Sequence, residues 1–156
     1  MEARFNLYTN PVTASFVKRM RMAGKVIDES PLPNATYELV QIRVAQINGC
    51  SFCTDMHTKD AAHAGESTVR INLVAAWREA TVFTEAERAA LAMAEEATRV
   101  ADGGQVSEDT WDQVRKHYDD DQVGALIAAI ALINAWTRLN AVAHTPAGDY
   151  VPGQWS

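Results

Sequence analysis

The sequence predicts an all-α protein, and three observations lead to that class. Ala, Glu, Leu and Met, which favour helices, are abundant. No run alternates apolar with polar residues as a half-buried strand would. Pro, Gly and capping residues fall between the periodic stretches, where they end one helix and begin the next.

The elements follow in chain order. Residues 1–13 read as an irregular N-terminal arm with Pro11 inside it. A helix is expected over 14–28, with Phe16, Met20, Ala23 and Ile27 on one side, and Pro31 and Pro33 break the chain after it. Asn34 is placed to cap a second helix, with Tyr37 and Glu38 in its first turn. Leu39, Ile42, Val44, Ala45 and Ile47 give that helix a broad apolar face, and Asn48-Gly49 stops it. A third helix starts near Ser51 and runs to about Ala64, where Gly65 supplies a stop. A short helix fits 68–77. Thr84 and Glu87 have the spacing of a capping box for a helix over 85–101, which ends at Gly103-Gly104. Ser107 caps a helix over 108–118. Asp119, Asp120 and Asp121 put negative charge at the start of a final helix over 122–143, where the dipole favours it. Ala128, Ala129, Ala131 and Ala135 on that helix permit close helix contact. Pro146, Gly148, Pro152 and Gly153 make the tail irregular. With no internal boundary, residues 1–156 read as one helical domain.

The 156 residues are 47% hydrophobic, enough for a core, and carry a net charge of -6. The net charge argues against a nucleic-acid partner, because no Lys/Arg cluster offers a phosphate footprint, and argues weakly against anionic membranes. The first twenty residues contain no continuous apolar stretch of the secretory kind, and the most apolar run, Val123 to Trp136, is too short to cross a bilayer as a helix. A cytoplasmic location is therefore expected. In that compartment a static disulfide is unusual, and a redox-active or metal-binding pair is more natural.

The chain has two cysteines, both in the run Cys50-Ser51-Phe52-Cys53, with His57 four residues on. Cys50 and Cys53 meet at the first turn of a helix, whose N–H groups and dipole stabilise a thiolate. His57 lies one turn after Cys53 on the same face. If the chain reverses at Asn48-Gly49, the flanking helices form an antiparallel hairpin, and Glu38 falls level with residues 58–61, close to His57. Glu38, His57 and Cys53 then read as a proton relay, in which carboxylate orients imidazole and imidazole takes the thiol proton. Two plainer readings stand beside it. The thiols could fill core space, or Cys50, Cys53, His57 and Glu38 could hold structural zinc, although this chain has core to spare. The exposed attacker in helical CxxC pairs is usually the first cysteine, whereas the histidine spacing favours the second. His63 is expected at the surface, and His117 and His144 have no partners in sequence. Trp77, Trp111, Trp136 and Trp155 read as core or interface anchors. Asn134 and Asn140 interrupt the final apolar helix, and each is expected to bond to a neighbouring helix or subunit.

The run from Glu38 to His57 resembles the core motif of the carboxymuconolactone decarboxylase superfamily, on its alkylhydroperoxidase D-like side. Further matches are Gly65-Glu66, Ala76-Trp77-Arg78-Glu79, Phe83 to Leu91 and Ile133-Asn134-Ala135-Trp136, so that the likeness covers about residues 34–143. The resemblance implies a helical subunit that assembles into homotrimers or homohexamers. It implies that Cys53 attacks a hydroperoxide, that Cys50 closes the disulfide, and that His57 and Glu38 relay protons. An external dithiol or a lipoylated protein would supply electrons. No haem, flavin or nicotinamide motif is present, and no bound cofactor is expected. The hydroperoxidase D proteins carry a histidine just before the second cysteine, where this chain has Phe52. Decarboxylases of the superfamily generally lack the cysteine pair, which disfavours that activity. The alternatives are a general thiol-disulfide oxidoreductase and a non-catalytic redox-sensing oligomer.

Overall fold

Capping geometry sets the boundaries of the helices. In the computed structural model, which describes residues 2–154, α1 spans Pro11–Asp28, α2 Asn34–Ile47, α3 Ser51–His63, α4 Thr68–Leu73, α5 Glu85–Thr98, α6 Glu108–His117 and α7 Asp120–Ala143. Short 3₁₀ turns follow α4 at Val74–Ala76 and α5 at Val100–Asp102. The described residues form no strand, as expected of an all-α chain.

Several boundaries differ from expectation for local reasons. Helix α1 begins at Pro11, not residue 14. The side chain of Asn10 accepts the N–H groups of Val12 and Thr13 at 3.0 and 3.2 Å, and proline is well suited to the first helical position because its missing N–H needs no partner there. The buried side of α1 is Val17, Met20 and Ile27, whereas Phe16 is half exposed. Helix α2 lacks a side-chain cap: Pro33 holds the cap position, and Asn34 is already the first helical residue. The stretch 68–77 divides into α4 and a 3₁₀ turn, and α5 ends three residues short of 101. Helix α7 starts at Asp120, two residues early, because Asp119 and Gln122 form a reciprocal capping box. The boxes of Thr84 with Glu87 and the cap of Ser107 are as the spacing predicts. Trp155 lies outside the described residues.

Helix α2 is the axis of the packing. It is flanked by α3, α5 and α7, with α1 lying on α7 and α6 on α5. Leu39, Val40, Ile42, Val44 and Ala45 are at most 1% exposed, and Thr36, Glu38 and Gln41 are buried beside them, so α2 is covered on most of its circumference, as a central helix must be. Val40 and Val44 join the cluster with Leu126, Ile130 and Ile133 of α7. Leu39 and Ile42 turn the other way, to Ile71, Val74, Trp77, Phe83 and Leu91. Each such side chain, fully buried, contributes about 2 kcal/mol. Helix α7 is 24 residues long and, by length and composition, apolar enough to cross a membrane, which corrects the expectation drawn from its central run alone. Here it lines the core with Val123, Leu126, Ala129, Ile130 and Ile133.

Polar ties lock this packing. Asn48, in the turn after α2, donates from Nδ2 to Asn134 Oδ1 and Thr137 Oγ1, both at 2.9 Å, and Asn134 Nδ2 donates to Thr98 Oγ1 at 3.0 Å. Three helices thus converge on the turn that precedes Cys50. Gly49 sits there at φ +66°, a left-handed conformation that glycine adopts without strain. On the far side of α2, Glu95 accepts from Arg43 Nε at 2.6 Å, from Trp77 Nε1 at 2.9 Å and from Arg78. Burial by itself raises the Glu95 carboxyl, but the donors Arg78, Trp77 and Arg43 outweigh it and hold the group below its ordinary value.

A depressed carboxyl stabilises the fold above its unfolded-state value and loses that contribution as pH falls through the folded-state value. Glu95→Ala, which strips Arg43 and Trp77 of their acceptor, should lower the unfolding free energy by roughly 3 kcal/mol at pH 7. The gap to wild type should narrow as pH falls below about 4. Urea denaturation of both proteins at a series of pH values measures this.

Candidate functional site

The turn at Asn48-Gly49 delivers Cys50 to the head of α3. Cys50 is the cap residue of that helix, with φ −82° and ψ 97°, and its Sγ accepts the N–H of Cys53 at 3.1 Å. Its carbonyl accepts the N–H and hydroxyl of Thr54. Cys50 and Cys53 are joined in a disulfide, their Cα atoms 5.4 Å apart, within the range such a bond spans without backbone movement. Both residues are 3% exposed or less. A thiolate formed here would meet the unpaired N–H groups at the start of α3.

One turn further along α3, His57 Nδ1 lies 2.9 Å from Glu38 Oε2 on the antiparallel α2. Both are buried, at 5% and 8% exposure. With Nδ1 engaged by the carboxylate, Nε2 is the nitrogen left for proton exchange. Tyr37 meets the imidazole edge-on, ring centroids 6.3 Å apart. Burial first, and then the negative charges of Glu38, Asp28 and Asp60, push the Tyr37 phenol far above its ordinary value. Tyr37 therefore stays neutral and keeps its proton.

Cys53 and His57 open onto a cavity of about 440 Å³. Met20, Phe52, Met56, Leu132, Ile133 and Trp136 supply apolar wall, while Lys18, Arg21, Lys25 and Asp28 of α1 stand on its lining. Two amides also face it. Asn140 Nδ2 donates to Cys53 Sγ at 3.7 Å and to the carbonyl of Trp136 at 3.0 Å. Gln41, 2% exposed, has a buried Nε2 with no hydrogen-bond partner among the described residues. Cys50 opens elsewhere, onto a cleft of about 430 Å³ between the α2–α3 turn and the end of α7.

The structure therefore brings Cys50, Cys53, His57 and Glu38 together. His63 is exposed, as the sequence indicates. His117 lies on α6 with a buried Nε2 that has no hydrogen-bond partner among the described residues, and His144 lines the cleft on Cys50. Among the described residues, no group of three or more His, Cys, Asp and Glu side chains is disposed to hold a metal ion. Sequence reasoning missed Gln41 and the contact of Asn140 with sulfur. Gln41 stands three positions after Glu38, on the same face of α2, which is the signal that could have found it. Asn140 was legible as a buried amide in need of a partner, but nothing local says that the partner is Cys53.

Residues 14–96 match the profile of the Carboxymuconolactone decarboxylase family. The uncharacterized protein YdfG of Bacillus subtilis is 39% identical over 124 residues, covering 80% of this chain and 84% of that protein. The alkyl hydroperoxide reductase AhpD of Rhodopseudomonas palustris is 36% identical over 95 residues, 58% of this chain, and the chain spans only 51% of that relative's length. Among solved structures, a protein of unknown function from Agrobacterium tumefaciens, described as an AhpD-type antioxidant defence protein, aligns with a TM-score of 0.87 at 31% identity, over 96% of this chain and 100% of that one.

The contact of Asn140 with sulfur has a measurable consequence. In a Cys50→Ser background, where Cys53 is the one thiol, Asn140→Ala removes a donor to the thiolate. Alkylation of Cys53 by iodoacetamide at neutral pH should slow by about three- to tenfold, the worth of one hydrogen bond to a charged group.

Proposed function

The chain belongs to the carboxymuconolactone decarboxylase family, and from that premise we propose that it is a dithiol-dependent peroxidase reducing hydroperoxides through Cys50 and Cys53. The observation that carries this reading is the shared cavity: Cys53, in the first turn of α3, and the imidazole held by Glu38 line the same pocket. The AhpD relatives point to peroxide chemistry in general terms.

The steps balance with the groups present. In the dithiol form, His57 Nε2 takes the Cys53 proton while Glu38 holds the opposite ring nitrogen. The Cys53 thiolate attacks the distal oxygen of the hydroperoxide. The O–O bond breaks, and the alkoxide leaves as an alcohol with the proton returned from His57. Cys53 is now a sulfenic acid. Cys50 attacks that sulfur, water leaves, and the disulfide seen here forms. An external dithiol or a lipoylated protein then returns two electrons by thiol-disulfide exchange. The apolar wall built by Met20, Met56, Leu132 and Trp136 favours an organic hydroperoxide over hydrogen peroxide. In this reading His57 serves without the second histidine of the hydroperoxidase D pattern, because Phe52 occupies that position and contributes apolar wall instead.

The same proposal makes the protein a cytoplasmic homotrimer or homohexamer. Val12, Phe16, Met22 and Val26 of α1 and Ile127 and Val142 of α7 are large apolar side chains at the surface, which supports assembly through these helices. Sedimentation should then give a mass of three or six subunits, and a monomer would remove this part of the reading.

Stopped-flow oxidation of the reduced protein by cumene hydroperoxide tests the chemistry. Cys53→Ser should abolish the fast phase, and His57→Ala should slow it by at least about 100-fold, the usual worth of a positioned base. Equal rates in wild type and His57→Ala would rule out the proton relay.

A further inference from the structure

The two cysteines line different openings. Cys53, not Cys50, lines the cavity with His57, and Cys50, not Cys53, lines the second cleft. Phe52 and Asn140 stand in both walls and form the partition between them. We propose that the second cleft is the reductant site, where an uncharged, slender dithiol attacks Cys50 while the hydroperoxide reaches Cys53 from the opposite side. This rests on the peroxidase reading above and gives its reductive half a separate entrance.

The direction of attack follows from exchange chemistry. A thiolate displaces one sulfur from another in line, so a nucleophile coming through the second cleft bonds to Cys50 and expels Cys53. Cys53 is a good leaving group there, because Asn140 Nδ2 donates to its sulfur and the cavity holds His57. The product is a mixed disulfide on Cys50 and a Cys53 thiolate on the peroxide side. The second thiol of the reductant, giving up its proton to solvent at the cleft mouth, then attacks the reductant's first sulfur in that mixed disulfide. The cyclic disulfide of the reductant leaves, and Cys50 departs as a thiolate opposite the N–H of Cys53. Two electrons pass from dithiol to protein. His144, the last helical cap of α7 at φ 52°, lines the cleft and accepts the proton of the incoming thiol.

The cleft is a built feature. The segment that closes it is tied to α3: Lys59 Nζ donates to the carbonyls of Gly148 and Tyr150 at 2.8 and 3.0 Å, and the N–H of Gly148 donates to Asp55 Oδ2 at 2.9 Å. On the opposite wall, a Cβ added to Gly49 would meet nothing within 4 Å, so the backbone beside Cys50 is open to approach. Among the described residues, no Asp, Glu, Lys or Arg lines the cleft, and much of its wall is small residues such as Ala141, Thr145 and Ala147. A neutral dithiol therefore fits better than a charged tripeptide thiol such as glutathione.

The half-reactions can be read apart. The disulfide form, mixed with dihydrolipoamide, reports reduction through released thiols, and the reduced form, mixed with cumene hydroperoxide, reports oxidation. Ala141 and Ala147 are exposed, so tryptophan at either leaves the core intact while filling the cleft. Ala141→Trp and Ala147→Trp should each slow reduction at least tenfold and leave oxidation within twofold of wild type, and His144→Ala should slow reduction alone. Wild-type protein should be reduced much faster by dihydrolipoamide than by glutathione at equal thiol concentration. Wild-type reduction rates in both tryptophan variants, or an equal loss in both half-reactions, would overturn the proposal. Wild-type protein that no peroxide oxidises would defeat the peroxidase reading, while the reduction measurements would still decide the cleft.

Discussion

The buried hydrogen bond between Glu38 and His57 constrains the rest of the structure. A carboxylate and an imidazole at 8% and 5% exposure are costly to bury unless each satisfies the other. That requirement fixes the register of α2 against α3, since a shift of one residue would turn either partner off the shared face. With the register fixed, the turn at Asn48-Gly49 must place Cys50 at the cap of α3, and the network of Asn48, Asn134, Thr137 and Thr98 clamps that turn to α7 and α5. The position of the sulfurs relative to the imidazole is thus set by two polar locks, one at each end of a short hairpin.

Helix α2 divides its circumference among three tasks. Leu39 and Ile42 face one apolar cluster, Val40 and Val44 another, Tyr37 and Gln41 line the cavity, and Glu38 reaches His57. A helix buried on all sides has no solvent face for its polar residues, so those it carries must bond inside the protein or to a ligand. Glu38 bonds to His57. Gln41 lines the cavity, and its buried Nε2 has no hydrogen-bond partner among the described residues.

Much of this was legible in the sequence because it depends on local spacing. The helices, the capping box of Thr84 with Glu87, the stops at Gly49 and Gly65, and the meeting of Glu38 with His57 all follow from periodicity and one reversal of the chain. The start of α1 was misjudged because Pro11 was taken as a breaker, although Asn10 before it makes it a first helical residue. Asn34 looked like a cap because its side chain is of the right type, but Pro33 already holds that place. The missing pieces are long-range. The contact of Asn140 with Cys53 joins residues 87 apart, and the cleft on Cys50 is closed by a tail that crosses back to Asp55 and Lys59 of α3. No local pattern encodes which helix such a tail will cross.

A disulfide that spans three residues stabilises the fold little. The loop it closes is so short that the entropy removed from the unfolded chain is worth about 2 kcal/mol at most, comparable to one buried leucine. The hairpin is held instead by the apolar face of α2, the Glu38–His57 pair and the Asn48 network, none of which involves the sulfur–sulfur bond. Opening the bond therefore leaves these supports in place, and the dithiol form can keep the geometry of the disulfide form. A redox pair that must cycle needs that independence, because a bond on which the fold depended could not be broken at every turnover. The pair is thus better placed to carry electrons than to staple the chain.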